Sequence, residues 1–492
     1  MNLQLITLEV VVTLIGATIL LGSLWLPAGQ RRHLPLMAAA ALVVLLIAHC
    51  FAMGVDTTTT LHGFGGGIVQ DGFAICLKRL FLASAAFVLA MSAPFVERLR
   101  AGPGEFCALI LFALVGMLFA ASANDFVMLF VSVELITVTF YVLTSFQRHE
   151  TRSLEAGAKY LILGGVATGL MVFGISLIFA GSGTMSLREI SKLDPLPNLM
   201  LFNAGLLLVV AGLGFKIAIV PFQLWAPDVY QGSPTPVTAF LAVGSKIAGF
   251  ALLMRLLRHT SRPETGFLLD ALAALAAFSM IYGSLCAIWQ RQLKRLMAYI
   301  GISSAGYLLI GVIAMAKGFD GTKAILFYLA AYLFAAMATF TVIGLISKEG
   351  EDERSEILNG LHKRSPGLAL TLTLSIVSLA GIPPLAGFFG KFLLLQLLLE
   401  MAVNNAAYYW LLGIALACIV ASLAFFFGII RAVYWPSDVA LSHAAAPAAH
   451  IPTSLPLKIS LAICVTGIIL LGLQPDVFLD LIQETVRAFR WQ

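Results

Sequence analysis

The sequence predicts an all-α integral membrane protein with about 14 transmembrane helices, and three observations predict it. The 492 residues are 60% hydrophobic and only 11% charged, where a soluble domain carries about a quarter charged residues. Apolar runs about 20 residues long, enough to cross a bilayer, recur from end to end. Two of those runs are broken by prolines that stand beside a lysine, in "GLGFKIAIVPFQLWAPDVYQGSPTP" and in "SLAGIPPLAGFFGKF". The formal net charge of +5 is small for this length and the cations lie in loops, so nucleic-acid binding is not expected. Six scattered cysteines form no CxxC or Cys/His cluster, which points away from an iron–sulfur centre, a metal site or a disulfide framework.

The spans read in order as roughly 4–27, 34–54, 72–96, 104–122, 125–146, 154–180, 199–222, 237–259, 267–289, 293–316, 322–347, 366–401 with a break, 408–433 and 457–475. The start of the chain lacks a basic region and a small-residue cleavage site, so it reads as the first helix. Connections are short and neighbours should run antiparallel. "HGFGGG" (His62 to Gly67) lacks the Lys-Ser/Thr and strand–helix context of a phosphate loop and reads as an external loop. A charged connector near 347–366 and a Pro/Ala linker near 444–456 separate the later spans. Loops after odd-numbered spans hold fourteen cations, among them Arg98, Arg100 and Lys348; the other side holds nine, among them Arg255, Arg487 and Arg490. That bias puts the odd loops in the cytoplasm and both termini outside it.

Four charges lie deep in the apolar runs: Glu134, Lys216, Lys246 and Lys391. A charge at the middle of an inserted helix costs about 2.5–3.5 kcal/mol on insertion scales. Glu134 stands about ten residues from either end of its run, roughly 15 Å of helix rise, too far to snorkel. Three lysines against one glutamate cannot all be neutralised by pairing. Complete burial shifts a lysine by as much as about 3–5 pKa units toward the neutral form, which makes such groups fit for proton exchange. Lys78, Arg79 and Lys159 sit a turn or two inside their spans and read as snorkelling anchors. Glu9 is close enough to the end of the first span to reach the interface.

Pro221 removes a helix hydrogen bond just after Lys216, and Pro383-Pro384 does so just before Lys391. Non-helical backbone at membrane depth is tolerated where protein covers it or a wet cavity receives it. The two broken spans are the seventh and the twelfth. Five apart, they cross the membrane in opposite senses, the pattern of an inverted five-helix repeat and a pointer to a transport site. The expected organisation is three N-terminal helices (1–103), a first five-helix repeat (104–260, spans four to eight), a second (261–435, spans nine to thirteen), and a linker with the last helix (436–492).

These segments resemble the subunit N family of the bacterial proton-pumping NADH:quinone oxidoreductase, respiratory complex I. "LFVSVELITVTFYVL", "SLEAGAKYLILGG", "GLGFKIAIVPFQLWAPDVYQGSPTPVTAFLAVGSKIAGF", "QLKRLMAYIGISSAGYLLIG" and "SLAGIPPLAGFFGKF" carry the likeness, in the family's order, over about residues 105–435. The "PDVYxGxPxPV" turn favours this family over its antiporter-like relatives. The resemblance implies a Glu134–Lys216 pair that opens and closes, a central Lys246 and a terminal Lys391, joined as a polar axis along the midplane. Lys159, Pro221 and Pro383 accompany them. Ser304 stands where the family often has histidine, Gln223 likewise, and Gln231 where it often has glutamate, which argues for a central relay through water.

The resemblance further implies no cofactor in this chain, with FMN, iron–sulfur clusters and quinone held by partner subunits. The partners would be the antiporter-like subunit M and the small subunits K, J and A, in a bacterial plasma membrane. Separating Glu134 from Lys216 would release a proton toward Lys246 and Lys391, driven by quinone chemistry elsewhere. A stand-alone cation/proton antiporter and a purely structural membrane scaffold are the competing readings. The first should transport when alone in a bilayer; the second should tolerate loss of the midplane charges.

Overall fold

The computed structural model describes residues 3–51, 60–96, 102–347, 353–435, 451 and 453–486. Arg98, Arg100, Lys348, Arg487 and Arg490 of the orientation count lie outside the described residues, as does most of the Pro/Ala linker. Among the described residues, 14 helices are long and apolar enough to cross a membrane. They are α1 (Thr7–Trp25), α2 (Leu34–Phe51), α3 (Gly72–Val96), α4 (Pro103–Ser122), α5 (Phe126–Thr144), α6 (Thr151–Ser182) and α7 (Leu199–Ile217). After a short α8 (Trp225–Gly232) come α9 (Thr235–Thr260), α10 (Gly266–Ile288), α11 (Leu293–Ala316) and α12 (Gly321–Ile346). The last group is the shorter α13 (Pro366–Ala380), then α14 (Ala386–Asn404), α15 (Tyr409–Tyr434), α16 (Leu455–Leu473) and an amphipathic α17 (Pro475–Val486).

The prolines mark true breaks. Helix α7 stops at Ile217, where Ala218 turns into the left-handed region (φ +56°), and α8 begins only at Trp225. Helix α13 stops at Ala380, where Gly381 does the same (φ +82°), and α14 begins at Ala386. One difference from the sequence reading is that "WAPDVYQG" is helical. Asp228 sits in its first turn, where a carboxylate meets free N–H groups, and Pro227 occupies an early position that lacks a donor obligation.

Helices α9 and α11 form the centre; the apolar window of each is entirely buried. Around them α6 and α7 cross closely because both carry glycine at the crossing: a Cβ on Gly174 would stand 2.7 Å from the Gly205 carbonyl. Small residues at such crossings replace the hydrophobic drive that lipid does not supply. The outer faces remain apolar, with Leu14, Val44, Ile162 and Val166 exposed, as suits a surface that meets lipid or neighbouring subunits.

Alternation of the spans is visible in how the loops pair. At one end, Leu293 N–H donates to the Glu353 carbonyl (2.8 Å) and Ser355 N–H to that of Arg291 (2.8 Å). At the other, Asp125 bridges to Ser186 and the Arg262 guanidinium reaches the carbonyls of Ile190 and Leu193. The "HGFGGG" segment is not a plain loop. It turns an antiparallel hairpin, β1 (Leu61–Gly63) with β2 (Ile68–Gln70). Asn124 ties it down, its backbone N–H on the Gly67 carbonyl at 2.9 Å and its amide on that of Gly66 at 2.8 Å.

Candidate functional site: a buried lysine axis

Helix α5 places Glu134 and Thr137 one turn apart on the face toward α6 and α7. Glu134 accepts from the Thr168 hydroxyl of α6 at 2.7 Å and is half-buried. Lys216, the penultimate residue of α7, is buried and donates to the Thr137 hydroxyl. Its ammonium also lies 5.7 Å from the Tyr160 ring and 5.6 Å from the Phe215 ring. The expected Glu134–Lys216 pair is therefore apart here. Each partner rests on a threonine, and among the described residues no ion pair joins them.

Lys246 follows a π turn, Leu241–Ser245, inside α9. Such turns insert an extra residue into the helix and often mark functional sites. Lys246 is buried, donates to the Gly301 carbonyl of α11 at 2.7 Å, and stands 5.0 Å over the Tyr332 ring. One turn on, Gly249 is bare toward α7, so that a Cβ there would meet the Lys216 stem at 3.4 Å. The first two lysines thus flank one helix crossing.

Lys391 uses the second break directly. Its ammonium donates to the Leu379 and Ala380 carbonyls at 2.9 and 3.0 Å. Those are among the groups a helix C-terminus leaves unpaired. The Tyr307 ring lies 5.4 Å away. None of the three lysines makes an ion pair with a carboxylate among the described residues. Their partners are hydroxyls, carbonyls and ring faces. A buried ammonium without a counter-charge is costly, so this arrangement suits groups that give up and regain a proton. Pro221 and Pro383 themselves are exposed on the outer surface of the chain. They break the helices from outside while the lysines face in.

Ser304 is buried on α11, its hydroxyl near the Tyr328 phenol of α12. Gln223 is buried beside Tyr282, and Gln231 accepts from Arg295 at 3.1 Å. Lys159 makes its ion pairs with carboxylates instead. It is partly exposed and bridges Glu155 (2.6 Å) and Asp228 (2.7 Å), while Arg295 holds the other Asp228 oxygen at 2.5 Å.

Two corrections concern the first three helices. Lys78 is not an anchor at the interface: it is buried and ion-paired with Glu9 at 2.7 Å, both about fully enclosed. Glu9, set aside from the sequence as reaching the interface, is its counter-charge. Arg255, counted as a span-end cation, is buried too. It grips Asp71 with two nitrogens (2.8 and 3.0 Å), donates to the Ala121 carbonyl at 2.8 Å, and stacks over Phe73 at 5.2 Å. Burial pushes the Asp71 carboxyl up, but the attraction and hydrogen bonds of Arg255, with the Ala74 N–H, outweigh it and hold it below the usual range. The Asp-Gly pair that opens α3 was the available signal, since Asp is a favoured helix cap. Nothing local marks Arg255 as its partner.

A bundle of this size, with two helices broken beside buried lysines, defines the class of antiporter-like membrane subunits. The family described as NADH:quinone oxidoreductase/Mrp antiporter, transmembrane, matches residues 123–420. The chain belongs to that family. It is 38% identical over 454 residues to the NADH-quinone oxidoreductase subunit N of Desulfitobacterium hafniense, covering 88% of this chain and 89% of the relative. With that of Heliobacterium modesticaldum it shares 36% over 479 residues, 96% and 97% covered. Among solved structures, a chain of respiratory complex I from Thermus thermophilus with bound aureothin superposes with a TM-score of 0.79 at 29% identity, covering 96% and 98%. A chain of the Mrp complex of Dietzia shares the fold, with a TM-score of 0.76 at 22% identity over 99% and 98% of the two chains.

Proposed function

We propose that this chain is the proton-translocating membrane-arm subunit of an NADH:quinone oxidoreductase, moving protons through Glu134, Lys216, Lys246 and Lys391. The observation that carries it is the set of three buried lysines, each bonded to a neutral acceptor, two of them at helix breaks. The chain lies across a bacterial plasma membrane with both termini on the outer side. It works beside an antiporter-like subunit M and the small subunits K, J and A. FMN, iron–sulfur clusters and the quinone site lie in partner subunits, and residues 104–260 and 261–435 act as two inverted repeats.

In this reading the threonine-held state is the separated one. With Glu134 on Thr168, Lys216 lacks its counter-charge and releases its proton toward Lys246. When Glu134 leaves Thr168 for Lys216, the attraction restores the proton. Quinone chemistry in other subunits drives the exchange. The test is Glu134→Gln and Lys216→Ala in the assembled enzyme. Quinone-linked turnover and proton uptake should both fall, with assembly and electron transfer from NADH to an artificial acceptor intact. Full pumping in both variants would refute the assignment. Cation/proton exchange by the chain reconstituted alone would favour the stand-alone antiporter instead.

A further inference from the structure

Between Lys246 and Lys391 two helices present a stripe of three hydroxyls and one glycine carbonyl. Helix α11 contributes Gly301 and Ser304, three residues apart; α12 contributes Tyr328 and Tyr332, four apart; both spacings keep a pair on one helix face. Lys246 donates to the Gly301 carbonyl at 2.7 Å and lies 5.0 Å over Tyr332. A Cβ at Gly301 would stand 2.8 Å from the Lys246 ammonium and 3.4 Å from the Tyr332 hydroxyl, so both groups flank the same bare spot. The Tyr332 hydroxyl is buried and has no protein hydrogen-bond partner. One turn on, the Tyr328 phenol lies near the Ser304 hydroxyl. Beyond it, Tyr328 packs on Gly390, the residue before Lys391, where a Cβ would come within 2.6 Å of its ring. Tyr307 is used differently: its hydroxyl donates to the Ala415 carbonyl at 2.9 Å, leaving Lys391 only the ring.

A buried hydroxyl with no protein partner is ordinarily satisfied by an internal water. We infer that Tyr332, Tyr328 and Ser304, joined by water, relay protons between Lys246 and Lys391. This rests on the lysine axis proposed above and adds to it the residues that connect its second half. In the step, an Nζ–H bond of the Lys246 ammonium breaks and its proton passes to water. Each hydroxyl then accepts one proton and donates another, and a new N–H bond forms on neutral Lys391. Lys246 ends neutral, Lys391 charged, and the tyrosines and serine unchanged.

The experiment uses the assembled enzyme in membrane vesicles, reading proton uptake, quinone-linked turnover and its solvent isotope effect. Electron transfer from NADH to an artificial acceptor serves as the measure of assembly. Tyr332→Phe keeps the ring under Lys246 and removes only the hydroxyl. Pumping and turnover should fall about tenfold, the scale of about 1.4 kcal/mol in a barrier, and the isotope effect should rise. Tyr328→Phe should act in the same direction. Gly301→Ala fills the shared spot with a methyl group and should also slow pumping; it decides the matter should a tyrosine variant not assemble. Lys246→Ala separates the two ideas. If Lys246→Ala stops pumping while Tyr332→Phe and Gly301→Ala pump at the parental rate, the relay is wrong and the axis stands. If Lys246→Ala pumps normally, both fall.

Discussion

The Lys391 ammonium donates to the carbonyl of Ala380 at 3.0 Å, so a residue of α14 closes the end of α13 across the helix break. The same bond set includes the Leu379 carbonyl at 2.9 Å. A side chain that caps a helix and carries a proton cannot change its charge without loosening that cap. Lys391→Met should therefore do two things. It should stop pumping, and it should lower thermal stability by about 1–3 kcal/mol, the cost of buried acceptors left unmade. Unfolding measured alongside proton uptake checks both. Loss of pumping with no change in melting would separate the cap from the proton site.

Thr137 and Thr168 hold Lys216 and Glu134 apart. Thr137→Val keeps the shape and removes the acceptor. Lys216 should then turn to Glu134, fixing the paired state and lowering coupled turnover. Thr168→Val should act in the same sense by freeing Glu134. Turnover of the double variant compared with each single one measures whether the two threonines serve one equilibrium; additive losses would count against it.

Glu9 and Lys78 neutralise each other in the first helices. Breaking a buried pair by removing one partner costs about 3–5 kcal/mol, whereas replacing both with apolar residues is often neutral. Glu9→Gln should reduce assembly or melting temperature strongly, and Glu9→Leu combined with Lys78→Met should recover most of it. Equal damage from the single and double variants would contradict a purely electrostatic lock.

Asp71 gives a pH signature. Its carboxyl is held below the usual range by Arg255 against the pull of burial. A depressed native pKa contributes stability that is complete above the unfolded value, about 3.9, and is lost as pH falls through the native value. The parental chain should thus hold its melting temperature from neutral pH down to about 4 and lose it below. Asp71→Asn should melt lower throughout that window and show a weaker acid loss. Melting curves at a series of pH values test it, and identical acid limbs would rule Asp71 out as the cause.

Ala218 ends α7 at φ +56°, where a Cβ meets the following carbonyl. Ala218→Gly should stabilise the break by about 1 kcal/mol or a little less, and Ala218→Val should destabilise it. A drop in melting temperature for the glycine variant would mean that this turn needs the methyl group more than it suffers from it.

Membrane class, span number and both breaks were legible because each rests on local sequence: long apolar runs, and proline where a helix must stop. The four deep charges stood out for the same reason, being expensive where they are. What pairs with what was not legible. Lys78 and Lys216 both look like lone lysines in a helix, yet one meets Glu9 from 69 positions earlier in the chain and the other meets a threonine. Partners across helices depend on rotation about each axis, and apolar residues all around these helices leave no periodicity to set it. The hairpin at His62 to Gly67 was missed because four glycines erase alternation; Asn124, far along the chain, is what holds it. Tyr328 and Tyr332 carry no mark in sequence that separates them from tyrosines that only pack.

The π turn at Leu241–Ser245 stores an azimuth. One surplus residue taken up in a π turn sets every later side chain about 100° off the azimuth that regular α-helix would give the same sequence. Rewinding the turn into regular α-helix with all five residues kept would swing Lys246 away from Gly301 with its chemistry untouched, whereas deleting one of the five would remove the surplus and leave the lysine aimed as it is. The axis is thus aimed as well as composed, and the aim is set by a turn that itself carries no charge.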